Sequence, residues 1–150
     1  MSQTVDPARD RQTAALALRL PVALVVFLFT ASYPALDFAT ASKPTDIGLG
    51  MFLVYAGIAL VTAILVFGLL LPRMIPRAGA VPVALALSVV GTVLAPGFFT
   101  GFPPALAAGG ALLGWSATKG TRQPRLAWAA AVIGVIGVLF AVLSYVTVFV

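Results

Sequence analysis

The chain has 150 residues, 61% of them hydrophobic and only 9% charged, with a formal net charge of +5 and a pI near 10.5. Soluble domains carry about 25% charged residues, and a fold of this size buries only about 70% of its unfolded surface, so the composition would leave a sheath of Leu, Val and Phe in water. The expected fold class is therefore an all-α integral membrane protein, with the lipid bilayer as its first partner.

The positive charge does not indicate nucleic acid, which needs a contiguous basic face on a polar domain. Here the nine basic residues lie between apolar runs, the pattern that sets membrane topology. The chain has no Cys and no His, and its four acidic residues are all Asp. Disulfides, thiolate chemistry, iron–sulfur clusters, His-ligated haem, most metal sites and the usual general bases are removed together. No cofactor, metal site or catalytic residue is expected. Heavy use of Ala, Val, Leu, Gly and Arg beside only two Lys fits a high-GC bacterial genome.

A spanning helix takes about 20 mostly apolar residues, because each rises 1.5 Å across a hydrocarbon core about 30 Å thick. On that measure the chain reads as one polytopic domain, residues 1–150, a bundle of about five short transmembrane helices. Residues 1–19 form a cytoplasmic N-terminal segment in which Asp6 caps, and Pro7 opens, the first helix. The first span covers 20–38, with a kink or exit expected at Tyr33-Pro34. A cleavable leader is the alternative reading, with Arg9 to Arg19 as its charged part and Ala39-Thr40-Ala41 as the cleavage motif. The length of the apolar run favours a retained span, and without it four spans would remain.

The second span covers 47–71. The next stretch holds two apolar runs, 79–95 and 104–118, around the Pro/Gly cluster from Pro96 to Pro104. Such a cluster cannot continue a helix. Two short spans are favoured over a re-entrant hairpin, since about 16 residues reach roughly 24 Å and local thinning of the bilayer covers the rest. The last span is 126–150.

Five spans sort the charges. Arg9, Arg11, Arg19, Arg73, Arg77, Lys119, Arg122 and Arg125 fall on one side, and Lys43 lies on the other with Asp37 and Asp46. The positive-inside rule then places the N-terminus in the cytoplasm and the C-terminus outside the inner (plasma) membrane. Trp115 and Trp128 bracket the basic loop as an interfacial belt would.

Small residues make the strongest pattern. Ala127, Ala130, Gly134, Gly137, Ala141 and Ser144 recur at spacings of three and four in the last span, and Ala107, Gly110, Gly114 and Ala117 do so in the fourth. In lipid, helices associate through close backbone approach along such seams. The seams serve internal packing first, and an interface to a second copy or a larger membrane complex otherwise. Asp37 is the one ionisable residue that could lie within the bilayer, but a position about 25 Å beyond Leu20 puts it near the outer interface. Arg73, Arg77, Lys119, Arg122 and Arg125 are candidate contacts to lipid headgroups.

Scattered hydroxyls should mostly bond back to their own helix carbonyls, and none has a partner spaced to activate it as a nucleophile. Gly48-Leu-Gly50 lacks the strand and third glycine of a dinucleotide site. The sequence thus points to a non-catalytic accessory, assembly or scaffold component of a membrane complex. A small transporter or channel for a neutral or hydrophobic substrate, using the Pro/Gly break, is the alternative.

Overall fold

The computed structural model describes residues 7–40, 49–75, 77 and 79–149, and these are helical with short turns between. The chain makes five helical units, three long rods and a shorter pair, so that three of them are longer than the short helices expected. The first rod is α1, Pro7–Thr40, of 34 residues. The second joins α2, Leu49–Ala63, through a π-helical segment Ile64–Leu70 to α3, Leu71–Met74. The short pair is α4, Ala80–Val93, and α5, Phe102–Ala117, separated by a 3-10 segment Ala95–Thr100. The third rod is α6, Pro124–Phe149, of 26 residues.

Within these rods the stretches Ala8–Ser32, Leu53–Met74 and Pro124–Thr147 are long and apolar enough to cross a membrane. Helix α1 opens at Pro7, where the sequence places its start, and residues 9–19 are its first turns, since Arg, Gln, Ala and Leu are good helix formers and Asp10 sits favourably in the first turn. One boundary differs from the sequence expectation: α1 does not leave the helix at Pro34, for it continues to Thr40. One missing backbone bond is a smaller loss than an open helix end in apolar surroundings. Asp6 and the loop residues Lys43 and Asp46 lie outside the described residues.

At the centre is α5. Eleven of its 16 residues are buried, and α1, α2, α4 and α6 all pack on it. The closest approaches are made by glycines. A Cβ on Gly110 would stand 2.6 Å from the Ser88 nitrogen and 2.8 Å from the Ala84 oxygen of α4. One on Gly91 would come within 2.9 Å of Ala107 Cα, and one on Gly114 within 2.8 Å of the Ala127 oxygen and the Ala131 nitrogen. Gly134 of α6 meets α5 as closely, 2.8 Å from the Ala111 nitrogen, and Gly137 faces Thr92 of α4 and Ala107 of α5. The seam of small residues is thus spent inside the chain, where it locks α4, α5 and α6 backbone to backbone.

Two hydroxyls cross these contacts. Ser88 Oγ donates to the Ala130 oxygen of α6 at 2.7 Å, and Thr92 Oγ1 donates both to Ser88 O of its own helix at 2.7 Å and to the Ile133 oxygen at 3.0 Å. Own-helix bonding holds for Thr30, Thr62 and Thr147, but Ser88 reaches another helix because Gly110 brings no side chain into the way. Interhelical bonds of this kind contribute about 0.6 kcal/mol each on average in a membrane protein.

Gly101 turns the corner into α5. Its φ of 73° is left-handed, and a Cβ there would lie 2.5 Å from Ala59 Cβ and 2.6 Å from Thr30 Cγ2. Only glycine satisfies both the backbone and the space. On the second rod, Ala59, Ala63, Phe67, Leu71 and Ile75 are buried at a strict spacing of four. On an ideal helix of 3.6 residues per turn such a stripe drifts by about 40° per step. The π-helical segment offsets part of that drift, with Leu71 N–H donating to Val66 O, and keeps Phe67 and Leu71 on the core side.

Gly110→Ala should destabilise the protein by about 1–3 kcal/mol, because the methyl group must push α4 away. Gly57→Ala is the control, since nothing lies within 4 Å of its added Cβ, and should be neutral or stabilising by up to about 1 kcal/mol. Thermal unfolding in detergent measures both. Equal effects would mean that the α4–α5 contact is not as close as described.

Candidate functional site

The basic end of the bundle is assembled from five chain segments. Helix α1 starts there, α3 and α5 end there, and α4 and α6 start there, so Arg9, Arg11, Arg73, Arg77, Lys119, Arg122 and Arg125 are gathered at one end. Contacts across the chain fix this. Arg11 Nη1 donates to Thr118 Oγ1, and the Arg11 guanidinium carbon lies 5.8 Å from the centroid of the Trp115 ring. That separation is within the range of a cation–π attraction. Beside it, a Cβ on Gly120 would stand 3.4 Å from Ala8 Cβ, an ordinary packing distance.

A cleft of about 520 Å³ opens at this end between α4, the α5–α6 turn and the start of α1. Its polar lining is Gln12, Arg77, Ser116, Thr121, Arg122 and Gln123, with the first turn of α4 along one wall. Ser116 Oγ is already spent on the Leu113 oxygen at 2.7 Å. The remaining groups are two guanidiniums, two amides and the Thr121 hydroxyl, with no carboxylate, a set that can attract an anion but offers no general base to activate a nucleophile. Of the five candidate headgroup contacts, only Arg77 and Arg122 share this cleft. Arg73, Lys119 and Arg125 are exposed around it.

A second, apolar hollow of about 540 Å³ lies between α1 and α6, floored by α5. Leu18 and Val22 form one wall, Trp128, Val132 and Val135 the other, and Ala108, Ala111 and Trp115 the floor. Towards the opposite end the two walls close, where Ser32 Oγ and the Tyr145 hydroxyl are 3.0 Å apart and the Phe29 and Tyr145 rings meet at a tilt of 44° with centroids 5.0 Å apart.

The other sequence candidates are placed as follows. Ala127, Ala130, Gly134, Gly137 and Ala141 are on the inward side of α6, and Gly110 and Gly114 face α4 and α6 from α5. Ser144, at the end of that seam, is half-buried. Asp37 belongs to the last turns of α1, and its side chain is outside the described ones. Among the described residues no three acidic, His or Cys side chains cluster as metal ligands would, and no buried side-chain polar atom lacks a partner. The sequence missed the Arg11–Trp115–Thr118 contact. Its only signal was that all three residue types favour an interface.

Compared with known proteins, the chain matches no family model, no curated protein and no solved structure.

With no natural Cys in the chain, the double variant Ala8→Cys/Gly120→Cys should form an intramolecular disulfide under mild oxidation, since the Cβ separation is close to the usual 3.5–4.5 Å. Non-reducing electrophoresis after protease cleavage between the sites reads it out. Failure to cross-link would show that α1 does not dock at the basic end.

Proposed function

We propose that this chain is a non-catalytic, membrane-embedded packing component, an accessory, assembly or scaffold subunit that works through its outer surface. The observation that carries the reading is where its apolar surface points. In the most apolar window of each long stretch only 17%, 28% and 33% is buried, although the windows are among the most hydrophobic parts of the chain. Leu20, Leu24 and Val25 of α1, Leu53 and Val61 of α2, and Leu139 and Leu143 of α6 are each more than half exposed. Water would not tolerate such a girdle, whereas lipid or a partner helix would cover it.

In this reading the chain crosses the inner membrane five times, with the basic end in the cytoplasm and the C-terminus outside. The short helices α4 and α5 reach only about 21 and 24 Å, less than the hydrocarbon core. Helix α5 needs no match to the bilayer, because protein surrounds it. Helix α4 does face outward at Val89, Val90 and Val93, and its shortfall calls for local thinning. A transporter working through the Pro/Gly break is the second reading. It ranks lower because the α4–α5 contact has no room for a methyl group at Gly91 or Gly110, which leaves no path between those helices.

Cross-linking in native membranes followed by purification in mild detergent should yield a defined homo-oligomer or a reproducible partner subunit. A monomeric, partner-free particle would count against the scaffold role. Topology is checked separately with single Cys residues. Thr121→Cys should react with impermeant maleimide only after the inner face is opened, and Phe99→Cys should react in intact cells.

A further inference from the structure

We infer that the hollow between α1 and α6 is a seat for one acyl chain of an anionic phospholipid in the leaflet at the basic end. The inference rests on the membrane reading above and adds a ligand to it. Its volume, about 540 Å³, is in the range of specific small-ligand sites, roughly 300–1,000 Å³. The lining is hydrocarbon throughout, apart from the two indoles at its mouth.

The shape selects the occupant. A transmembrane helix of a second copy or partner is about 10–12 Å across and must run the full thickness of the bilayer. The hollow cannot admit one, because Phe29 and Ser32 of α1 close on Tyr145 of α6 at the far end. An acyl chain enters from a headgroup on one side and ends near the midplane. From Trp128 to Leu139 the α6 wall extends about 16 Å, close to half of a 30 Å core.

Charge gives the second argument. Trp115 and Trp128 stand at the open end, at the level where indoles meet headgroups. Over Trp115 lies Arg11, and Arg125 precedes Trp128 by three residues, on the same face of α6. Among the described residues of this end, seven Arg or Lys face a single acid, Asp10. Copies of the chain inserted in the same orientation would bring these like charges together at the hollow. A phosphate-bearing lipid brings the opposite charge.

The two Trp residues of the chain are both at the site, so they report on it without labels. The protein is reconstituted in phosphatidylcholine vesicles containing a small fraction of acyl-brominated phosphatidylglycerol or acyl-brominated phosphatidylcholine, and Trp quenching is compared. The expected result is stronger quenching by the brominated anionic lipid at equal mole fraction. Arg125→Gln should weaken that preference about fivefold, the equivalent of about 1 kcal/mol per basic side chain at the surface. Val135→Phe, which enlarges an exposed wall residue, should reduce quenching by the anionic lipid to the level given by the neutral one. Arg73→Gln, away from the hollow, should change neither. Equal quenching by both lipids in the unmodified chain, or a preference that survives Val135→Phe, would overturn the seat while leaving the membrane reading standing. Vesicle flotation separates the two: a chain that does not float with vesicles overturns both.

Discussion

Everything in this fold depends on how closely the backbones of α4, α5 and α6 approach one another. Helices in lipid gain little from hiding apolar side chains, since the surrounding tails are equally apolar. Contact must come from dispersion and hydrogen bonds at short range, and both need small residues. Gly91, Gly110, Gly114, Gly134 and Gly137 supply that proximity, and each lies where a methyl group would meet a neighbouring helix. Once the helices are this close, the Ala130 and Ile133 carbonyls of α6 come within reach of Ser88 and Thr92. The hydrogen bonds are consequences of the glycines, and the short helices are tolerable because the unit is tied at many points along a small length.

The long rods are attached by a different principle. Along α1 the inward positions carry Ala15 and Val26, and along the second rod Phe67, Leu71 and Ile75, so ordinary side-chain packing holds these helices to α5. The π-helical segment belongs to this arrangement. Val66 approaches Gly109 of α5, and Leu71 Cδ1 would stand 3.5 Å from a Cβ there, so the widened turn carries two bulky side chains into the gap one glycine leaves. Small residues are concentrated where helices touch by backbone and large ones where they touch by side chain. The exposed Leu and Val of α1 and α6 remain for whatever surrounds the bundle.

Much of this was legible from residue types. The glycine and alanine spacings in α5 and α6 marked the faces that the structure turns inward, and the Pro/Gly cluster marked the break between α4 and α5. Basic residues and the two Trp marked one end. What escaped has a physical reason in each case. Whether Ser88 bonds to its own helix or to α6 depends on the neighbour's distance, which no local pattern encodes. The stripe from Ala59 to Ile75 was not legible, because nearly every residue from Ile58 to Leu71 is apolar and the buried register is set by the π-helical segment. Pro34 was read as a kink or exit because proline weakens a helix by a known amount; the exit does not occur, since the opposing cost of ending a helix in apolar surroundings is set by the whole bundle. The docking of Arg11 on Trp115 and Thr118 joins residues more than a hundred positions apart, and only tertiary structure brings them together.

The two ends of the bundle are built to opposite rules. At one, α1 and α6 are drawn together by an aromatic pair and a hydrogen bond between hydroxyls, contacts that do not depend on ionic strength. At the other, the fold brings together basic residues from five segments that are far apart in sequence. In a soluble assembly such crowding would be self-repulsive and would weaken the compact state. Exposure to water and salt reduces the repulsion but does not make it favourable. An anionic leaflet, with a negative surface potential of about 30 mV, converts the same crowding into attraction worth about 1 kcal/mol per charge. The basic end is therefore a cost to this fold in water and would be a stabilising feature at an anionic lipid surface, and a fold that gathers seven of the chain's nine basic residues at one end suits the second case.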